Sequence, residues 1–158
     1  MASHWRQRVG SDLPGSRRLI ETEQLTEATC LRLLASIRVG RIALTRHALP
    51  VVIPVSFALD GRDIVIPTAP NSLLAASGDD VVVAFETGEL DPDTGSGWSV
   101  LVTGTTRAND SRVISGVRQL GLDPRVGDDG SRFVRISPGL ISGSRLEPRS
   151  GQPEPALA

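Results

Sequence analysis

A succession of short β-branched runs, separated by at most a turn or two of helix, limits this chain to few folds. Residues 50–59, 63–68, 80–86 and 98–103 concentrate Val, Ile and Thr, side chains suited to a pleated, half-buried surface. Few helices intervene, and none in the alternating strand and helix pattern of a doubly wound sheet. The pattern therefore favours a closed antiparallel barrel over a doubly wound sheet.

Thr26 is placed to cap a helix over 26–38, whose apolar positions Leu31, Leu34, Ala35 and Ile37 keep helical spacing until Gly40 stops it. Strands are expected at 41–45, 50–58, 63–68, 81–87, 98–107 and 132–136, the last continuing toward Leu146, with Asp60-Gly61 closing a hairpin. Asn71 to Ser77 reads as one or two helical turns, 90–97 as a loop, and 111–120 as a second helix capped by Asp110. Residues 1–19 and 148–158 lack hydrophobic period and read as tails around one domain, 20–147. The expected fold is mainly β: a six-stranded antiparallel split barrel with two or three short flanking helices.

A formal net charge of −1 provides no global field for nucleic acid or an anionic membrane. No apolar run approaches the roughly 20 residues of a membrane span. No apolar stretch follows the arginines near the N-terminus, so a cytoplasmic protein is expected. Cys30 is the only cysteine, which by counting excludes an internal disulfide and a multi-cysteine zinc site. With no lysine in the chain, any anion held by a side-chain cation is held by arginine, whose planar fork favours bidentate contacts.

Catalytic and metal motifs are absent: there is no P-loop, GxGxxG, GxSxG or HExxH. His4 falls in a tail and His47 in a hairpin loop, both reading as solvated. Cys30 reads as a small packing residue. The acidic stretch from Glu86 to Asp93 lacks the glycine and distal glutamate of a calcium loop. No catalytic or metal-ligating residue is assigned.

An ordered series of segments rises above this background. Val39-Gly40-Arg41-Ile42-Ala43 is followed by Ile53-Pro54-Val55-Ser56-Phe57-Ala58, Asp60-Gly61, Thr68-Ala69 and Val83-Ala84-Phe85-Glu86. Gly97-Trp98-Ser99-Val100, Val102-Thr103-Gly104, Val134-Arg135-Ile136 and Gly143-Ser144-Arg145 complete it. Over residues 25–147 the chain resembles the pyridoxamine 5'-phosphate oxidase-like family of FMN-binding split barrels. That resemblance implies a six-stranded barrel, a homodimer and a flavin groove between two protomers.

By the same resemblance, Pro54, Val55, Ser56 and Phe57 run along the isoalloxazine ring, while Thr68, Asn71 and Ser72 supply the phosphate segment. Trp98 and Ser99 lie near cofactor and subunit contact, and Arg41 is a candidate cation. Similar proteins commonly carry a lysine just after the position of Ser72, where this chain has Leu73. Pro67 is a second departure, in a position expected to be strand. The implied function is an FMN-binding protein, a flavin-dependent oxidoreductase acting on a small molecule. The alternatives are a deazaflavin-dependent reductase and a cofactor-free dimeric binding or regulatory module. Haem is disfavoured, because the expected barrel holds no suitable histidine.

Overall fold

A computed structural model describes residues 20–108, 120–122 and 132–148. The elements in chain order are β1 (Ile20–Gln24), α1 (Glu27–Ser36), β2 (Val39–Arg46), β3 (Leu49–Ser56), β4 (Ala58–Asp60), β5 (Asp63–Thr68), β6 (Val82–Leu90), β7 (Gly97–Ala108) and β8 (Arg132–Pro148).

Helix α1 begins where expected, with the Thr26 hydroxyl accepting from the Thr29 N–H at 3.3 Å and Glu27 in the positively polarised first turn. It ends at Ser36, whose hydroxyl donates to the Leu33 carbonyl at 2.7 Å. Gly40 therefore does not stop the helix as the sequence suggested. It lies inside β2, where an added Cβ would fall 2.3 Å from Phe85 Cζ. Glycine is needed there for close approach, not for a helix stop.

The strands form one antiparallel sheet in the order β3-β2-β6-β7-β8-β5-β4, with β1 on β8. Eight strands thus replace the expected six, for two reasons. The polar stretch IETEQ forms β1 by pairing with residues 144–148 of β8. The expected strand 50–58 breaks at Phe57, whose N–H leaves the ladder to bond the Arg38 carbonyl at 3.0 Å. Residues before Phe57 pair with β2 and those after it with β5. Chain neighbours β3 and β4 are therefore the two ends of the sheet path, and joining them curls the sheet into an open barrel.

The barrel does not close by hydrogen bonds. Pro54 lies on the free edge of β3, and Pro67 lies on β5 beyond the three residues covered by β4. Proline has no ladder donor and belongs at edges. Placed on both lips of the split, it opposes their pairing. Pro67 still pairs with Phe133 through β5·β8, so it fits its strand without distorting it.

The hairpin between β4 and β5 has Asp60 opposite Asp63 and Gly61 at φ 64°, the positive φ that a type II′ turn asks of its first residue. Arg135 of β8 bonds Asp60 at 2.7 Å and Asp63 at 2.8 Å, tying this hairpin to the sheet. A bulge between Thr103 and Gly104 in the β7·β8 ladder leaves Gly139 of β8 unpaired between Pro138 and Leu140.

Residues Asn71 to Ser77 form turns, not the expected short helix. Ser72, not Asn71, provides the cap, accepting from the Ala75 N–H at 3.0 Å. Helix α1 is the one helix among the described residues; the expected helix 111–120 lies outside them except for Leu120.

Inside the barrel, Ile42, Phe57, Ile64, Ile66, Phe85, Val100, Val102, Val134 and Ile136 are fully buried, and α1 adds Cys30 and Leu34. Phe57 and Phe85 meet edge to face, centroids 4.7 Å apart at 67°, the arrangement favoured by opposed ring edge and face charge.

Candidate functional site

A cleft of about 650 Å³ opens along the split. Its walls are β3 from Ile53 to Ser56 on one side and Pro67, Thr68 and Ser72 on the other; the buried Phe57 and Leu74 close its base. Arg38, Gly121 and Leu122 complete the rim. That volume lies within the roughly 300–1,000 Å³ of small-molecule and cofactor sites, which are mostly apolar with a few placed polar groups.

The hydroxyls of Thr68 and Ser72 are hydrogen-bonded to each other, and Ser72 also accepts from Ala75 N–H. Two hydroxyl protons serve one mutual bond, so one O–H remains for a ligand whichever residue donates. Thr68 is 8% exposed, and an ordered ligand acceptor at this wall would meet little competition from water.

Six of the residues named from sequence therefore share one site: Pro54, Val55, Ser56, Phe57, Thr68 and Ser72. Asn71 lies in a second cavity of about 470 Å³ with Arg46 and His47, which shares Ser72 and Leu73 with the cleft lining. Arg41 lines a neighbouring depression with Arg38 and Pro54, but its guanidinium pairs with Glu86 at 3.4 Å. Ser99 donates to the other Glu86 oxygen at 3.1 Å, so Arg41, Glu86 and Ser99 form one network on the outer sheet face. Trp98 shares strand parity with the buried Val100 and Val102 and packs against the core. It does not line the cleft.

Sequence reasoning missed Arg38. It had been placed at the end of α1, but it follows the helix and reaches the rim, where its guanidinium donates to the Leu120 carbonyl at 3.5 Å. Its position follows from contacts with residues far away in sequence, so no local signal marks it. The alternation Trp98, Val100, Val102, by contrast, was a readable sign that Trp98 faces inward.

Apolar walls, a spare hydroxyl donor and a cation suit a planar ring carrying an anionic arm. Among the described residues no group of three His, Cys, Asp or Glu is arranged to hold a metal ion, and no helix is long and apolar enough to cross a membrane.

The comparisons agree with this architecture. A protein of Mycobacterium tuberculosis of uncharacterized function is 38% identical over 151 residues, which covers 89% of this chain and 99% of the relative. The FAD binding protein of Mycobacterium smegmatis superposes with a TM-score of 0.71 at 28% identity, over 79% of this chain and 98% of that one. An FAD-binding protein of Mesorhizobium loti shares the fold, with a TM-score of 0.63 at 20% identity over 82% of this chain and 98% of that one. The family model for pyridoxamine 5'-phosphate oxidase matches residues 26–145. From its split barrel, its matched segments and its relatives, this chain belongs to the pyridoxamine 5'-phosphate oxidase family.

Proposed function

We propose that this chain is a flavin-binding protein that holds FMN, or the mononucleotide half of FAD, in the cleft along its split, as a cytoplasmic flavin-dependent oxidoreductase. The observation that carries the reading is the convergence of Pro54, Val55, Ser56, Phe57, Thr68 and Ser72 on one cleft. The FAD binding of the Mycobacterium smegmatis relative supports a flavin. The adjoining cavity at Asn71 is space that an adenylate arm would use, which keeps FAD beside FMN.

In this reading the β3 wall holds the ring flat, and the free edge of that strand leaves backbone groups unused by any ladder. The spare O–H of the Thr68–Ser72 pair donates to an acceptor on the ligand. A bound flavin supplies the redox chemistry. The described lining contains no carboxylate, imidazole or thiol.

We propose a homodimer built on the outer sheet face. In register across five strands run Val52, Ala43, Ala84, Thr103 and Leu140, with Val82 and Leu101 on the same face. Val52, Val82, Leu101 and Leu140 are 61%, 67%, 42% and 62% exposed. Apolar residues contiguous on a sheet face mark an interaction surface.

Titration of the purified protein with FMN, FAD and a deazaflavin, followed by fluorescence quenching, tests the cofactor. Saturation near one flavin per protomer supports the reading. The apolar Leu73 in the cleft lining favours the cofactor-free module, which predicts no binding of any of the three by a folded dimer.

A further inference from the structure

We infer that Arg38 is the residue that anchors the anionic arm of the cleft's ligand, pairing with the flavin phosphate; this rests on the flavin reading proposed above. Among the described residues that line the cleft, Arg38 is the one cationic side chain and none is a carboxylate. Such a site has a local positive potential although the whole chain carries a formal charge of −1.

Three other arginines near the cleft or its lips are held by carboxylates, while Arg46 lines the adjoining cavity and not the cleft. Arg41 pairs with Glu86 at 3.4 Å, Arg62 with Glu27 at 2.6 Å, and Arg135 with Asp60 and Asp63. Arg38 has no carboxylate partner among the described residues. Its hydrogen bond to the Leu120 carbonyl, a neutral acceptor, is long at 3.5 Å. Five donors in a planar fork, of which one is weakly engaged, match a phosphate bidentately.

The backbone holds this side chain at the rim. The Arg38 carbonyl accepts from Phe57 N–H at 3.0 Å, the bond that breaks the strand at the split. Residue 38 is thereby fixed beside the Ser56 end of β3, at the join between the barrel's two free lips. Gly121 lies beside the guanidinium, whose Nη2 is 3.9 Å from where a Cβ would stand, an ordinary contact distance.

The test compares FMN with riboflavin, which has the same ring and no phosphate, on wild type, Arg38→Gln and Arg38→Lys. Quenching titrations at low and high salt give affinities, and circular dichroism checks the fold. Arg38→Gln should bind FMN about tenfold or more weakly, the loss expected of one charge-assisted contact at an open rim. Its riboflavin affinity should stay within about twofold, and Arg38→Lys should recover part of the FMN affinity. Salt should weaken FMN binding to wild type more than to Arg38→Gln.

Equal FMN affinity for wild type and Arg38→Gln overturns the inference and leaves the flavin reading intact. Equal losses for FMN and riboflavin also overturn it, because the lost contact would then be with the ring. A wild-type chain that binds neither takes down both.

Discussion

Replacing Gly40 by alanine probes how the barrel core supports the base of the cleft. The new methyl would stand 2.3 and 2.8 Å from Phe85 Cζ and Cε2, and Phe85 is fully buried with no room to retreat. Overpacking of this kind costs about 1–3 kcal/mol. Tilting the ring also loosens its edge-to-face contact with Phe57 at 4.7 Å, worth about 0.5–1.5 kcal/mol. Alanine recovers about 0.5–1 kcal/mol through lower chain entropy. The balance is a loss of about 2 kcal/mol, or a Tm lower by about 4–8 °C for a domain of this size.

Phe85→Leu removes the clashing ring atoms and leaves the Glu86 carbonyl oxygen, 3.0 Å away, as the remaining close contact. On that background Gly40→Ala should cost less than about 0.5 kcal/mol, so the two changes couple strongly. Thermal melts of the four proteins of the cycle measure this. Equal shifts from Gly40→Ala with and without the Phe85 ring would refute the close-approach explanation.

Other perturbations have equally definite expectations. In the β2–β3 turn His47 and Ala48 both take positive φ, 49° and 62°, the type I′ geometry that disfavours alanine by about 1 kcal/mol. Ala48→Gly should raise stability by about 0.5–1 kcal/mol in a urea titration, and a lower midpoint would contradict that geometry. Burial pushes the Cys30 thiol above its ordinary pKa. The folded state therefore favours the neutral thiol, a contribution present below the unfolded pKa and lost as pH rises through the folded one. A thiol reagent at mildly alkaline pH should label Cys30 only on unfolding, and prompt labelling of the native protein would exclude this burial. Leu101→Asp on the outer face should convert a dimer to a monomer in sedimentation velocity, whereas an unchanged dimer would place the interface elsewhere.

The sequence was most legible where local signals and long-range pairing agree. The run Asp63–Thr68 is a strand with the bounds read from its β-branched residues, because turn signals flank it on both sides. Thr26 caps α1 because its hydroxyl acts within its own turn. Strand β1 was missed because IETEQ has little strand character of its own and becomes extended by pairing with the far end of β8. The break at Phe57 was equally invisible, since 50–58 is continuous in β propensity. What breaks it is a single N–H turned toward Arg38, which sends the two halves to opposite ends of the sheet.

Gly40 shows the ambiguity of glycine, which ends helices and also admits close neighbours. Only the position of Phe85 distinguishes the two roles. For the site, the residues named in two short runs, 54–57 and 68–72, line one cleft except for Asn71, which lines the adjoining cavity, while Arg41, Trp98 and Ser99 do not line it. Arg38 joins them through Leu120, 82 positions away in the chain, a distance over which no pattern in one sequence reports.

The most direct test of the flavin cleft is an amide chemical-shift map of the isotopically labelled protein with and without FMN. The reading predicts that the largest saturable shifts fall on Ile53, Val55, Ser56, Phe57, Thr68 and Ser72, with the Arg38 side-chain signals moving at the same flavin concentration. Saturable shifts confined to other strands, or none at all from a folded protein at high FMN, would contradict it.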